Sequence, residues 1–188
     1  YKRQTNITIS GGTIENAQGG SGGAGIGGGD DSTGTTTVTI KGGTIETAQG
    51  GKGDKYRNAG DGIHSDYGLT ISGNATIDNV IGGGCDSDSR NRNAGHGIYS
   101  GGKLTISGGT IGTAQGGNAT DRNKNAGDGI YSVGELTISG GTIGTAQGGS
   151  GISGEQVLPS GKSRRCERAG RRRGGVLPVQ GRGKTPGS

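Results

Sequence analysis

The chain has 188 residues, 49 of them Gly, with no Phe, Trp or Met and only 28 Leu, Ile and Val. So few large apolar side chains exclude an ordinary globular core and leave either disorder or a strict repeat. The net charge is +5, but residues 157–188 hold nine Lys/Arg against one Glu, while residues 1–156 hold eleven against fourteen Asp/Glu. The basic excess belongs to the C-terminal stretch, so the whole chain does not read as a nucleic-acid binder.

Taken in order, five lines begin alike. They are "ITISGGTIENAQGG" at 7, "VTIKGGTIETAQGG" at 38, "LTISGNATIDNVIGGG" at 69, and "LTISGGTIGTAQGG" at both 104 and 136. Their starts lie 31, 31, 35 and 32 residues apart. Between them stand "AGIGGG", "AGDGIHS", "AGHGIYS" and "AGDGIYS". Such a period is the signature of a stacked array. Each unit reads as three short strands: Gly-Ile-Tyr-Ser, Leu-Thr-Ile-Ser and Thr-Ile-x-x-Ala. Alternation turns Leu104 and Ile106 to one side and Thr105 to the other. Gly pairs mark the corners.

The fold expected over residues 1–156 is therefore all-β: a right-handed parallel β-helix, or β-solenoid, of about four to five coils with three short strands each. At ~4.8 Å per coil the rod is about 20–25 Å long. Leu69, Leu104 and Leu136 form one inward ladder, and Ile71, Ile106 and Ile138 a second. Residues 157–188, with "RRCERAGRRR" and all three prolines, break the repeat. They read as a poorly ordered basic tail, or as an out-of-frame translation of the next repeat. Cys85 and Cys166 read as unpaired thiols, since two cysteines make neither a disulfide framework nor a zinc pattern. No apolar run is long enough to span a membrane. The chain starts in the middle of the pattern, so a mature segment or fragment is expected.

Stacking turns each outward position into a ladder. The first is basic. Lys55 and Arg57, Arg90 and Arg92, and Arg122 and Lys124 stand three and one residues before Asn58, Asn93 and Asn125. Six cations in three coils suit an anionic polymer, and Arg grips carboxylates in a bidentate fashion. The alternative is a set of splayed, solvated loops, with Asp54 and Asp121 neutralising their neighbours. The second ladder is His64, Tyr99 and Tyr131, which face outward by alternation and offer a platform for sugar rings or simply stack on each other. The third is acidic: Asp61, Asp66 and Asp128, with Asp86 and Asp88 nearby. Loop carboxylates at this density suit Ca²⁺, which takes six to eight oxygens. His96 interrupts this acidic line in the third coil. The fourth is Thr8, Thr39, Thr70, Thr105 and Thr137, a hydroxyl array of the kind an ice-binding solenoid would use, or ordinary exposed strand residues. Asp30–Asp31 is the only adjacent acidic pair, there is no Ser-His-Asp order and no nucleotide fingerprint, so no catalytic activity is expected.

At "AGDGIHSDYGLTISGNATI" (59–77) and "AGDGIYSVGELTISGGTIG" (126–144) the chain resembles a bacterial family of extracellular carbohydrate-binding β-helix proteins. Their repeats run roughly "GDDGIHADGTLTISGGTI". The resemblance covers residues 6–152. It implies a secreted or wall-attached right-handed β-helix that binds plant-type or acidic, pectin-like polysaccharide with calcium. The family's "DDGIHAD" line falls on Asp61, Ile63, His64 and Asp66, and in the fourth coil only Asp128 of it remains. The basic pairs lie outside that line and are this chain's own. The function expected is a non-catalytic polysaccharide binder without nucleic-acid partners. A structural spacer in a bacterial surface adhesin is the alternative, and an ice-binding solenoid comes third.

Overall fold

The computed structural model describes residues 4–29, 35–85, 92–120 and 125–151, and the backbone of 155–157 and 163–165. Strands run in chain order as β1 (Gln4–Gln18), β2 (Ile26–Gly27), β3 (Thr35–Gln49), β4 (Ile63–Ser65), β5 (Gly68–Ile71) and β6 (Thr76–Ile81). They continue as β7 (Ile98–Ser100), β8 (Lys103–Gln115), β9 (Ile130–Ser132), β10 (Leu136–Gln147), β11 (Glu155–Val157) and β12 (Ser163–Arg165). The described residues contain no helix, and so none long and apolar enough to cross a membrane.

Each coil of the expected β-solenoid contributes to two parallel sheets. The main sheet stacks β1, β3, β5 with β6, β8 and β10, and the smaller one stacks β2, β4, β7 and β9. Register follows the sequence repeat: Leu69 pairs with Leu104, Leu104 with Leu136, Ile71 with Ile106 and Ile106 with Ile138. These ladders, with Ile63, Ile98 and Ile130 of the smaller sheet, form one buried core. A branched aliphatic side chain at every rung fills the space between two sheets too short to bury anything alone.

The second and third strands of a unit are separate only in the coil that holds β5 and β6. Elsewhere they run on as one strand through an irregularity at Ser-Gly-Gly, or Lys-Gly-Gly in β3. The second Gly there has positive φ, as at Gly12 (81°), Gly43 (86°) and Gly109 (83°), so the chain bends without leaving the ladder. In "SGNAT" one extra residue precedes Thr76, and the strand breaks. The pair β11–β12 is antiparallel, so a short strand does follow the repeat, where composition had suggested none. The rest of the basic tail, including Cys166, lies outside the described residues.

The abundance of glycine has a cause beyond corners. Gly149 N–H donates to Gly127 O, Gly127 to Gly117, Gly117 to Gly95, Gly95 to Gly83, Gly83 to Gly60, Gly60 to Gly51, and Gly51 to Gly23, all at 2.8–3.0 Å. Glycines from the Gly-rich end of one line and from the next turn thus alternate in one hydrogen-bonded spine along the solenoid. The backbones approach so closely that a Cβ on Gly95 would stand 1.9 Å from the Gly60 oxygen. Only Gly can occupy such a position.

Candidate functional site

The smaller sheet positions the site. Ile63, Ile98 and Ile130 point inward and are fully buried. By alternation His64, Tyr99 and Tyr131 point to the other face, and they pair in register. The rings stack: His64 on Tyr99 at 4.6 Å and 15°, and Tyr99 on Tyr131 at 5.7 Å and 17°. His96, from the turn before β7, joins them at 4.7 Å and 14° from Tyr131 and 5.7 Å from Tyr99.

Outward does not mean exposed. His64 is only 8% accessible, because Tyr99 covers a face and aspartates hold both edges. Its Nδ1 lies 2.6 Å from Asp61 Oδ2, and its Nε2 lies 3.2 Å from Asp66 Oδ1. Toward ionised carboxylates, which only accept, both ring nitrogens must carry hydrogen, so this geometry favours the imidazolium form of His64. Burial by itself would push its pKa down. The hydrogen bond and charge of Asp61, then those of Asp66, outweigh burial and hold the pKa above the ordinary 6.5. The remaining oxygens tie coils together: Asp61 Oδ1 accepts from the His96 N–H at 2.5 Å, and Asp66 Oδ2 from the Thr36 N–H at 2.8 Å.

One coil further on, the pattern changes. His96 Nδ1 accepts from the Asp128 N–H at 2.9 Å, so a neutral His96 ring keeps its proton on Nε2. The asparagines repeat more strictly: Asn58 Oδ1 accepts from the Asn93 N–H, and Asn93 Oδ1 from the Asn125 N–H. Each therefore sets the turn of the next coil. Between the second and third turns lies an open cavity of 260 Å³, lined by the Asp61–His64–Asp66 trio, His96, Tyr99 and the Asn58 and Asn93 turns.

The linkage has a definite sign. A group whose pKa is raised on folding contributes stability that is complete below its unfolded pKa and is lost as pH rises through the folded one. The melting temperature of the chain is expected to fall as pH rises above about 6.5 and through the raised His64 pKa. His64→Gln is expected to flatten that slope. An equal slope in both proteins, followed by circular dichroism, would exclude the imidazolium clamp.

The basic residues are placed less uniformly than their spacing suggests. Lys55 and Arg57 are exposed, the Lys55 Nζ 5.3 Å from the Tyr56 ring centre. Arg57 donates to the Ser21 carbonyl at 3.4 Å. Arg92 is half-buried, and its Nε is buried with no hydrogen-bond partner among the described residues. Arg90, Arg122 and Lys124 lie outside the described residues, as do Asp30, Asp31, Asp86, Asp88 and Asp121. Asp54 does not chiefly neutralise its basic neighbours. It accepts from the Ser21 hydroxyl at 2.6 Å and from the Tyr56 and Arg57 N–H groups at 2.7 and 2.9 Å, fixing the loop that presents Lys55 and Arg57. The Ser21 bond, followed by that from Tyr56, lowers the Asp54 pKa.

The aspartates read as calcium ligands are not gathered. Asp61 and Asp66 bracket the His64 ring, and Asp128 Oδ2 lies 3.5 Å from His96 Nδ1 in another turn. Among the described residues no three His, Cys, Asp or Glu side chains converge on a metal position. A hard dication needs several oxygens, and here an imidazolium fills the place between the carboxylates, so this donor set does not fit calcium. Thr8, Thr39, Thr70, Thr105 and Thr137 do stand in register across the main sheet. Cys85 is buried, its Sγ donating to the Asn93 carbonyl.

His96 is the residue that pattern reasoning missed, being read as an interruption of an acidic line. A signal was present: His96 precedes Tyr99 by three residues, just as Asp61 precedes His64 and Asp128 precedes Tyr131. A family model described as beta helix repeat matches residues 7–30, 38–67, 104–130 and 136–154. The gap between the second and third matched stretches covers the coil with the extra residue and His96. No curated protein and no solved structure matches the chain.

Proposed function

The chain belongs to the beta helix repeat family, and we propose that it uses this solenoid as a non-catalytic, extracellular or cell-surface module that binds an acidic, pectin-like polysaccharide. The observation that carries this reading is the stacked cluster of His64, Tyr99, His96 and Tyr131 beside a polar cavity, with Lys55 and Arg57 exposed on the adjoining loop. Ligand pockets combine aromatic side chains with a few polar groups that set orientation, and here His64, His96 and Tyr99 line the cavity beside the Asp and Asn side chains. Cations at the rim attract the polymer's carboxylates and set the rate of encounter. In the sequence Arg90, Arg92, Arg122 and Lys124 repeat the same offsets in the next two coils, so a polymer lying along the solenoid axis is expected to meet further cations there.

Retention on immobilised polygalacturonate tests the reading. The wild-type chain is expected to bind at low salt and to elute as salt rises, because the contacts are charged and near the surface. Replacing Lys55, Arg57, Arg90, Arg92, Arg122 and Lys124 together by Ala is expected to move elution to much lower salt. Unchanged elution of that variant would end the ladder's role, and failure of the wild type to bind would end the acidic-polysaccharide reading.

A further inference from the structure

We infer that the cavity between the second and third turns holds an uncharged, hydroxyl-bearing sugar residue of the ligand, and that the ligand's acidic groups lie outside it on the basic loops. This rests on the polysaccharide reading and narrows it, since the preferred ligand becomes a mixed polymer rather than a uniform polyuronate.

Charge comes first. Asp61 and Asp66 share one imidazolium, His64, which leaves the trio with a surplus negative charge. Among the described residues no Lys or Arg lines the cavity. A uronate carboxylate entering it would meet these two aspartates in a partly desolvated space, where like charges repel strongly. The exposed cations that attract acidic groups, Lys55 and Arg57, are not among its lining residues.

The hydrogen-bonding pattern selects what can enter. An ionised carboxylate has about four lone-pair sites, and the contacts above use one on each oxygen of Asp61 and Asp66. Asn93 Oδ1 faces the Asn125 N–H, so its Nδ2 is the donor end, and His96 offers Nε2–H. Neither nitrogen has a protein partner among the described residues. The lining thus offers both fixed acceptors and fixed donors. A hydroxyl group both donates and accepts, and a sugar edge presents several of them in a row. Tyr99 borders the cavity with its ring plane held by His64 on one side and Tyr131 on the other. Such preorganisation lowers the ordering cost of binding. The arrangement belongs to this place only: after the paired Ser65, Ser100 and Ser132, Asp66 is replaced by Gly101 and Val133.

The test is an NMR titration of the full chain with three tetrasaccharides, one of neutral galactose, one of galacturonate and one of glucosamine. The neutral probe is expected to shift the His64, His96 and Tyr99 signals and to remain bound at high salt. The galacturonate probe is expected to shift the Lys55–Arg57 loop, to leave with salt, and not to displace the neutral probe. A neutral probe that leaves the three signals unmoved overturns the inference, as does displacement by galacturonate or tighter binding of glucosamine in the cavity. In Asp66→Asn the galacturonate probe is expected to enter the cavity, with affinity at low salt rising about tenfold. A folded variant without that gain overturns the charge exclusion; were the variant unfolded, the wild-type competition decides alone. If galacturonate binds nowhere while the neutral probe binds, the acidic-polymer reading fails and the cavity assignment stands.

Discussion

Gly95→Ala is expected to unfold the middle of the solenoid. The new Cβ would stand 1.9 Å from the Gly60 oxygen, a backbone atom held by its own hydrogen bond from Gly83. A side chain in the way could rotate, but this spine cannot move without breaking the bonds from Gly117 to Gly95 and from Gly95 to Gly83. Ordinary overpacking costs about 1–3 kcal/mol, and a clash between two backbones that are each hydrogen-bonded lies at or beyond the upper end. Gly20→Ala is the control, because a Cβ there meets nothing within 4 Å. Thermal melting should show a large loss for Gly95→Ala and almost none for Gly20→Ala. Equal behaviour would mean that the spine yields.

The second large effect is expected in the core. Ile106 is 1% exposed and sits in register between Ile71 and Ile138. Ile106→Ala removes buried methyl and methylene groups between two coils that cannot collapse far, since the Gly spine fixes their spacing. The expected cost is about 2–5 kcal/mol. In a stacked array each coil is stabilised by its neighbours, so position along the array matters. Ile143 in β10 is only partly buried and, among the described residues, pairs with Ile111 on one side alone. Ile143→Ala is therefore expected to cost markedly less. Urea unfolding of the two variants checks the ratio, and equal losses would contradict a core whose strength comes from rungs on both sides.

Much of this architecture is legible in the residues. The recurrence of Leu-Thr-Ile-Ser fixes both register and inward face, because strand side chains alternate strictly. Leu104 and Ile106 fall where that rule puts them. What escapes the pattern comes from distances between segments far apart in sequence. The glycines after Gln49, Ile81 and Gln115 read as corners, yet their tighter constraint is the approach of another coil's backbone. His64 reads as an exposed outward ring, whereas Asp61 and Asp66 close both of its edges. Alternation states which way a side chain leaves the strand and says nothing of what the adjoining turn lays over it. His96 escapes for the same reason, since its ring reaches the Tyr131 position from a turn. The six cations share two offsets, but matching offsets do not guarantee matching environments: Arg57 is exposed and Arg92 is half-buried.

Hydroxyl-radical footprinting of the full chain with saturating polygalacturonate is the most direct measurement of the claim that an acidic polymer lies along the basic loops. Oxidation of Tyr56, between Lys55 and Arg57, is expected to slow when the polymer is present, and to recover at high salt, while His96 and Tyr99 at the cavity keep their rate. Unchanged oxidation of Tyr56, or protection confined to the threonine face of the main sheet, would contradict it.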